Sequence, residues 1–176
     1  MYNNKTFLGI IPARGGSKRL PKKNILNLNG KPLITWSIEA GLKSTYIDKL
    51  IVSSDNNEIL SIADKHKVHS LRRPDELADD KAILFDTIKH VLDNSQKYDY
   101  VVLLQATSPL RNHKHIDKAI KLLDEKNADA IISVRETNCN PLWSNTLDDS
   151  LSMKGFLTKD ISNKRSQDLE KYYELN

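Results

Sequence analysis

The apolar run Phe7 to Ile11 breaks directly into a loop that reads Ala13-Arg14-Gly15-Gly16-Ser17-Lys18-Arg19-Leu20-Pro21-Lys22-Lys23-Asn24. No other stretch constrains the chain as tightly. A short buried strand that ends in paired glycines and five cations has the chemistry of a polyphosphate cradle. Glycines without Cβ let backbone N–H groups approach phosphate oxygens, and Arg14, Lys18, Arg19, Lys22 and Lys23 supply neutralising charge. The order of residues fits neither G-x-x-x-x-G-K-[ST] nor G-x-G-x-x-G, which excludes two common nucleotide motifs. The competing reading of the same residues is an ordinary turn beneath a solvated basic surface.

Beyond the loop, β-branched runs alternate with stretches of helical period. Leu33, Ile34, Ile38 and Leu42 predict a helix over about 32–44, with Pro32 in its first turn. Lys49 to Asp55 reads as a parallel strand, and Asp55 as the cap of a helix over 56–65. Val68 to Leu71 is a third strand delivering Arg72-Arg73, stopped by Pro74. A helix over 83–92 follows. Tyr98 to Leu104 is the most apolar run and predicts a central strand buried on both faces, with the polar loop Gln105 to Arg111 at its exit. A helix over 115–123 and a strand over 129–134 complete the alternation. From Asn138 onward regularity fades, and Leu151 to Leu157 is a candidate hairpin strand. The pattern is that of a doubly wound α/β sandwich with a mostly parallel sheet, which places ligands at the carboxyl ends of its strands.

A chain of 176 residues, 39% hydrophobic and 28% charged, is enough for one domain with a sizeable core. Its net charge of +4 is concentrated in the first loop and in Lys114 to Lys126. With aromatics at 6%, that distribution favours a local anionic ligand over a nucleic-acid track. Cys139, the single cysteine, excludes an internal disulfide or a multi-cysteine zinc site. His113 and His115 lack a third ligand at metal-binding spacing. The absence of a signal-like or membrane-length apolar run predicts a soluble cytoplasmic protein.

The pattern P-A-R-G-G-S-K-x-x-x-x-K-N followed by G-K-P-L-I resembles the nucleotide signature of the acylneuraminate cytidylyltransferase family, which activates sialic acids. Val52-Ser53-Ser54-Asp55, Arg73-Pro74-Asp75-Glu76-Leu77-Ala78 and Leu104-Gln105-Ala106-Thr107-Ser108-Pro109-Leu110-Arg111 continue the likeness in register. The resemblance implies a Rossmann-like three-layer sandwich of the nucleotide-diphospho-sugar transferase type. It also implies a reaction in which CTP and a nine-carbon 2-keto sugar acid give a CMP-sugar and pyrophosphate, with Mg²⁺ as cofactor. Arg14, Gly15, Gly16, Ser17 and Lys18 then correspond to the triphosphate site, and Lys23 and Asn24 to positions near the α-phosphate and ribose. Arg14, Lys18 and Lys23 carry the catalytic charge. Arg73 corresponds to the cytidine end, and Gln105, Thr107 and Ser108 line the acceptor side. Arg165 and Gln167, with the terminal Tyr172 to Asn176, resemble a later segment that approaches the sugar.

Three departures from that family bear on function. Lys81-Ala82-Ile83-Leu84 stands where many relatives carry small hydroxyl residues, Glu170 stands where they often carry proline, and the chain stops before an aspartate pair that binds the metal. Asp55, Asp79 and Asp80 remain as acidic candidates without matching that pair, so the metal ligands are unassigned. The expectation is a single cytidylyltransferase-like domain over 1–176, truncated at its C-terminus, with a dimerisation extension over 138–160 that forms a homodimer. A non-catalytic nucleotide-binding module, and CMP transfer to the eight-carbon 3-deoxy-octulosonic acid, are the alternatives.

Overall fold

In the computed structural model of the chain, every residue is described except Arg19, Asp80, Lys81, Lys159, Asp160, Ser162 and Asn176. The expectations placed on Arg19, Asp80, Lys81 and Asn176 therefore lie outside the described residues. Strand β1, Phe7–Pro12, is buried from Phe7 to Ile11. It pairs in parallel with β4 (Lys49–Ser54) on one edge and β6 (Tyr100–Leu103) on the other. Strand β5 (His69–Arg72) adds beyond β4, also in parallel, giving the order β5-β4-β1-β6.

The period-2 alternation of β1 distributes its side chains between two cores. Phe7 and Ile11 join Ile34 and Ile38 of α1 (Leu33–Lys43), Ile59 and Ala63 of α2 (Asn57–Lys65), and Ile116 and Ile120 of α4 (His113–Glu125). Leu8 and Ile10 join Ile51 and, from α3 (Leu84–Asp93), Val91 and Ile88. Three helices on one face and one on the other make the three-layer sandwich that the sequence predicts. Between the first loop and α1 a small hairpin pairs β2 (Asn27–Leu28) with β3 (Lys31–Pro32). Asn29 and Gly30 turn it with φ of 51° and 91°, the positive values an Asn-Gly turn supplies at low cost.

Four expectations are corrected. Strand β6 is an edge strand, not a central one: among the described residues it pairs only with β1, and Val101 is exposed. Its continuous apolarity reflects partial burial and the stacking of Tyr100 on Phe7, 5.3 Å between centroids. Asn56, not Asp55, caps α2, because Asn56 is the extended residue whose side chain accepts from Ile59 N–H at 3.1 Å. Residues 129–133 form no strand, since no described strand lies alongside to take up their backbone bonds. Leu151 to Leu157 is not extended either, because Leu151 and Gly155 adopt φ of 54° and 77°.

By compactness the chain divides into Met1–Ile131 and Ile132–Asn176. In the second unit β7 (Val134–Glu136) pairs antiparallel with β8 (Tyr173–Leu175). An Arg135–Glu174 ion pair and a Lys171–Glu136 pair at 3.0 Å lie along that ribbon. Leu147, Leu151 and Met153 are exposed, whereas Phe156 is half-buried.

The amino ends of the sheet strands in the first unit are fastened by aspartates. Asp48 accepts from Phe7 N–H at 2.8 Å, and Asp99 accepts from the Thr6 N–H at 2.7 Å and hydroxyl at 2.8 Å. Those two Thr6 donors hold the Asp99 carboxyl below its ordinary value. A depressed folded-state pKa contributes stability that is present above the unfolded value and lost as pH falls through the folded value. Asp99→Asn should therefore be less stable than the parent at pH 7, with the difference shrinking below about pH 4. Urea midpoints measured from pH 7 to pH 2 test this, and a difference independent of pH would contradict it.

Candidate active site at the carboxyl ends of the parallel strands

All four strands of this sheet point their carboxyl ends the same way, and the exits of β1, β5 and β6 line a cleft of about 560 Å³. That volume lies within the range of small-molecule sites. From the β1 exit come Arg14, Ser17, Lys18, Leu20, Lys23 and Asn24. Arg73 follows β5, and Gln105, Ala106 and Thr107 follow β6. Leu77, Asp79, Ala82, Leu84 and Thr87 close the side nearest α3. A smaller recess of about 240 Å³, lined by Arg14, Gly16, Ser17, Lys18, Ala78 and Asp79, adjoins it.

The basic loop is held by neighbours on three sides. Asn24, itself buried, donates its side-chain amide to the Arg14 carbonyl at 2.9 Å. Asp55 accepts from Gly15 N–H at 2.9 Å, which is the work its carboxylate does in place of capping. Arg14 donates to the Asp79 carbonyl at 2.9 Å, joining the loop to the segment before α3. The two glycines differ in purpose. A Cβ on Gly15 would lie 2.8 Å from the Asn56 Cβ, whereas a Cβ on Gly16 would meet nothing within 4 Å. Gly15 is thus required by close packing, and Gly16 leaves backbone open at the recess.

Among the described residues, four cationic side chains and one carboxylate line the cleft, the carboxylate being that of Asp79, which accepts from Ala82 N–H at 2.6 Å. Lys22 turns instead to Glu58 at 3.3 Å. Arg73 is 5% exposed and is held by neutral oxygens: the Thr87 hydroxyl at 3.0 Å, the Leu77 carbonyl at 3.3 Å and the Ser53 carbonyl at 3.4 Å. Burial pushes its guanidinium down from the ordinary value, nearby Asp55 works the other way, and Arg14 adds to the depression. It stays charged, since a guanidinium does not give up its proton in proteins.

Of the residues singled out by sequence, Arg14, Ser17, Lys18, Lys23, Asn24, Arg73, Gln105 and Thr107 line the cleft, and Gly16 lines the recess. Gly15 lies in the loop backbone, and Ser108 donates its N–H to the Gln105 carbonyl at 3.3 Å. Arg165 and Gln167 stand in the second unit, where Arg165 is paired with Asp168 at 2.8 Å and Gln167 is exposed. Leu77, Leu84 and Thr87 were missed. Leu84 matched the helical period and reads as core, but it is 40% exposed and faces the cleft. Among the described residues no three His, Cys, Asp or Glu side chains gather as a metal site.

A parallel sheet whose strand ends close a cationic cleft beside a glycine pair defines the class: a Rossmann-like α/β protein with a cationic cleft at its strand ends. Comparison with known proteins narrows it. The sequence model described as "Cytidylyltransferase" matches residues 8–174. The N-acylneuraminate cytidylyltransferase of Escherichia coli O18:K1:H7 is 39% identical over 168 residues, covering 95% of this chain and 40% of that protein. The pseudaminic acid cytidylyltransferase of Campylobacter jejuni serotype O:2 is 35% identical over 171 residues, covering 94% of this chain and 73% of that protein. Among solved structures, a CMP:2-keto-3-deoxy-manno-octonic acid synthetase complexed with CTP shares the fold, with a TM-score of 0.62 and 22% identity over 73% of this chain and 50% of that one. The chain belongs to the cytidylyltransferase family, and it spans about 40% of the length of the E. coli relative.

The contrast between the glycines is testable by substitution. Gly15→Ala should destabilise the protein by about 1–3 kcal/mol, the usual cost of overpacking, because the Asn56 Cβ cannot rotate away. Gly16→Ala should stay within about 0.5 kcal/mol of the parent. Urea denaturation of both variants decides this, and equal stabilities would refute the packing role of Gly15.

Proposed function

We propose that this chain forms the nucleotide-binding core of a CTP-dependent cytidylyltransferase that converts a sialic acid or related nonulosonic acid to its CMP-sugar and releases pyrophosphate, for surface glycan synthesis. One observation carries the reading: the order of chemistry along the strand ends. Because β5, β4, β1 and β6 stand side by side, Arg73, the basic loop, and Gln105 with Thr107 follow one another across the cleft. A polyphosphate suits the middle, where Arg14, Ser17 and Lys18 gather. One flank is then left for a nucleoside and the other for an acceptor. The names of the two relatives support cytidine and a sugar acid as the ligands; in this reading cytidine takes the Arg73 flank and the sugar acid the Gln105 flank.

In this reading the acceptor hydroxyl oxygen attacks the α-phosphorus of CTP in line. A new P–O bond forms as the bond to the β-phosphate bridging oxygen breaks. Pyrophosphate leaves with that electron pair, and the hydroxyl proton passes to solvent. Such a reaction asks for positioning and charge neutralisation rather than a covalent intermediate. Arg14 and Lys18 are assigned to the leaving pyrophosphate, Lys23 to the α-phosphate and Asn24 to the ribose side. Mg²⁺ belongs to the proposal as charge neutralisation supplied when bound to the phosphates, and no protein ligand is assigned to it. Cytoplasmic placement belongs to it too; among the described residues, no helix is long and apolar enough to cross a membrane.

Lys18→Ala should weaken CTP binding by about 1–3 kcal/mol, the range for a lost charge-assisted hydrogen bond, and should slow pyrophosphate release from CTP, Mg²⁺ and N-acetylneuraminate. Calorimetry with CTP unchanged in that variant would remove the basic loop from the site. Pyrophosphate release absent from the unsubstituted chain, with CTP still bound, would favour a non-catalytic nucleotide-binding module.

A homodimer through residues 138–160 is the second part of the proposal, supported by the exposure of Trp143, Leu147, Leu151 and Met153 in that tract. Light scattering at micromolar concentration should give about twice the 20.0 kDa chain mass. A value at the single-chain mass would count against it.

A further inference from the structure

The loop that leaves β6 carries Gln105 and Thr107 to the cleft, and its shape depends on Arg111, which does not itself line the cleft. Three donors converge on the Gln105 main-chain carbonyl: Ser37 Oγ at 3.2 Å, Arg111 Nη2 at 3.3 Å and the Ser108 N–H at 3.3 Å. Arg111 Nη2 also donates to Ser37 Oγ at 2.8 Å, which closes a triangle between the loop's two ends and α1. Ser37 is 1% exposed, so α1 presents this hydroxyl from inside the fold. Beyond Arg111 the chain is fixed at once by the start of α4. There the Asn112 side chain accepts from Lys114 and His115 N–H groups, and His115 Nδ1 accepts from Asn112 N–H.

Arg111 is an expensive residue for this task if the task is only folding. Burial pushes its guanidinium down from the ordinary value, no carboxylate offsets that, and its buried Nε has no partner among the described residues. An aliphatic side chain fills such a position without leaving a charge desolvated. What an aliphatic chain does not give is a fixed Gln105 carbonyl with a positive charge behind it. Fixing that carbonyl also fixes the residues on either side. The Thr107 hydroxyl donates to Gln105 Oε1 at 3.5 Å, a weak contact that points the Gln105 amide N–H groups away from Thr107.

We propose that Arg111, acting with Ser37, is a positioning residue for the acceptor: it clamps the Gln105 carbonyl so that Gln105 and Thr107 present their polar groups to the anionic sugar acid, with a half-buried positive charge beneath them. The inference rests on the reading of the Gln105 flank as the acceptor side. It does not involve the nucleotide flank, which is built from the exits of β1 and β5.

The test uses the full chain and three variants, Arg111→Met, Arg111→Lys and Ser37→Ala. CTP is titrated into each, and N-acetylneuraminate is titrated separately into protein saturated with CDP, which fills the nucleotide site without a pyrophosphate to release. Arg111→Met should bind N-acetylneuraminate at least about tenfold more weakly, as expected for loss of a charge-assisted contact, with CTP affinity within about twofold of the parent. Ser37→Ala should move in the same direction by less, and Arg111→Lys should recover part of the loss. Unchanged sugar-acid affinity in Arg111→Met, or CTP affinity falling in step with it, would overturn the proposal. If Arg111→Met does not fold, Ser37→Ala alone decides, by the same two titrations. If the unsubstituted chain binds CTP but not N-acetylneuraminate, the acceptor reading fails by itself. The clamp is then judged by amide resonances. Gln105 to Ser108 displaced in the variants, with Ser17 and Lys18 unmoved, supports it, and Gln105 to Ser108 unmoved overturns it.

Discussion

The pairing of β1 along both of its edges is the constraint on which the cleft depends. Parallel neighbours on each side mean that three chain segments leave the sheet in the same direction and close together. The ladder continues a little past the strands, with Ala13 N–H on the Ser53 carbonyl at 3.0 Å and Arg73 N–H on the Ser54 carbonyl at 2.8 Å. Only beyond those bonds do the loops part and leave room for a ligand. Opposite, Asp48 and Asp99 satisfy the N–H groups where β1 begins. The strand is therefore held at one end by carboxylates and at the other by its neighbours' carbonyls.

Two arginines, Arg73 buried and Arg111 half-buried, follow the same logic. Arg73 and Arg111 rest their guanidinium groups on hydroxyls and main-chain carbonyls, whereas away from the cleft cations meet carboxylates directly: Lys31 with Glu39 at 2.6 Å, Arg165 with Asp168 at 2.8 Å, Lys171 with Glu136 at 3.0 Å. A carboxylate partner would ease the desolvation of a buried guanidinium, but it would also cancel its field. Neutral acceptors satisfy the terminal N–H groups that reach them, leaving the Nε of each guanidinium without a described partner, and they keep the field. In a low-dielectric setting that field is worth more than the same charge on the surface, where pairs are screened and contribute little.

Most of the sheet and its helices were legible because periodicity reports burial, and burial here follows the elements. Phe7 to Ile11 was readable as a strand, and α1, α2 and α4 fell where helical spacing put them, within a residue or two at their ends. Strand order was less legible. The run Tyr98 to Leu104 has the composition of a central strand, yet β1 takes the middle, because a local run carries no record of how many neighbours a strand will have. The second unit was the least legible. Leu151 to Leu157 has the composition of a strand, but left-handed backbone at Leu151 and Gly155 breaks it, and only Gly155 signals that in sequence.

At the site, residues that face a ligand directly were easier to name than residues that hold other residues. Glycines, cations and the Gln105–Thr107 loop stand out by type and by position after a strand. Asp55, Ser37 and Thr87 do not, since each looks like a cap, a helix-face serine or a helix-face threonine until the partner is seen. Periodicity gives the direction in which Thr87 points, and Thr87 does point inward, 1% exposed. It cannot say that the group it meets there is the Arg73 guanidinium and not a leucine. A hydroxyl in a core position is a cost unless a donor or acceptor waits for it, so each buried hydroxyl on a core face implies a partner. Applied to this chain, that rule leads from Ser37 to Gln105 and Arg111, and from Thr87 to Arg73, through contacts that join loops far apart in sequence.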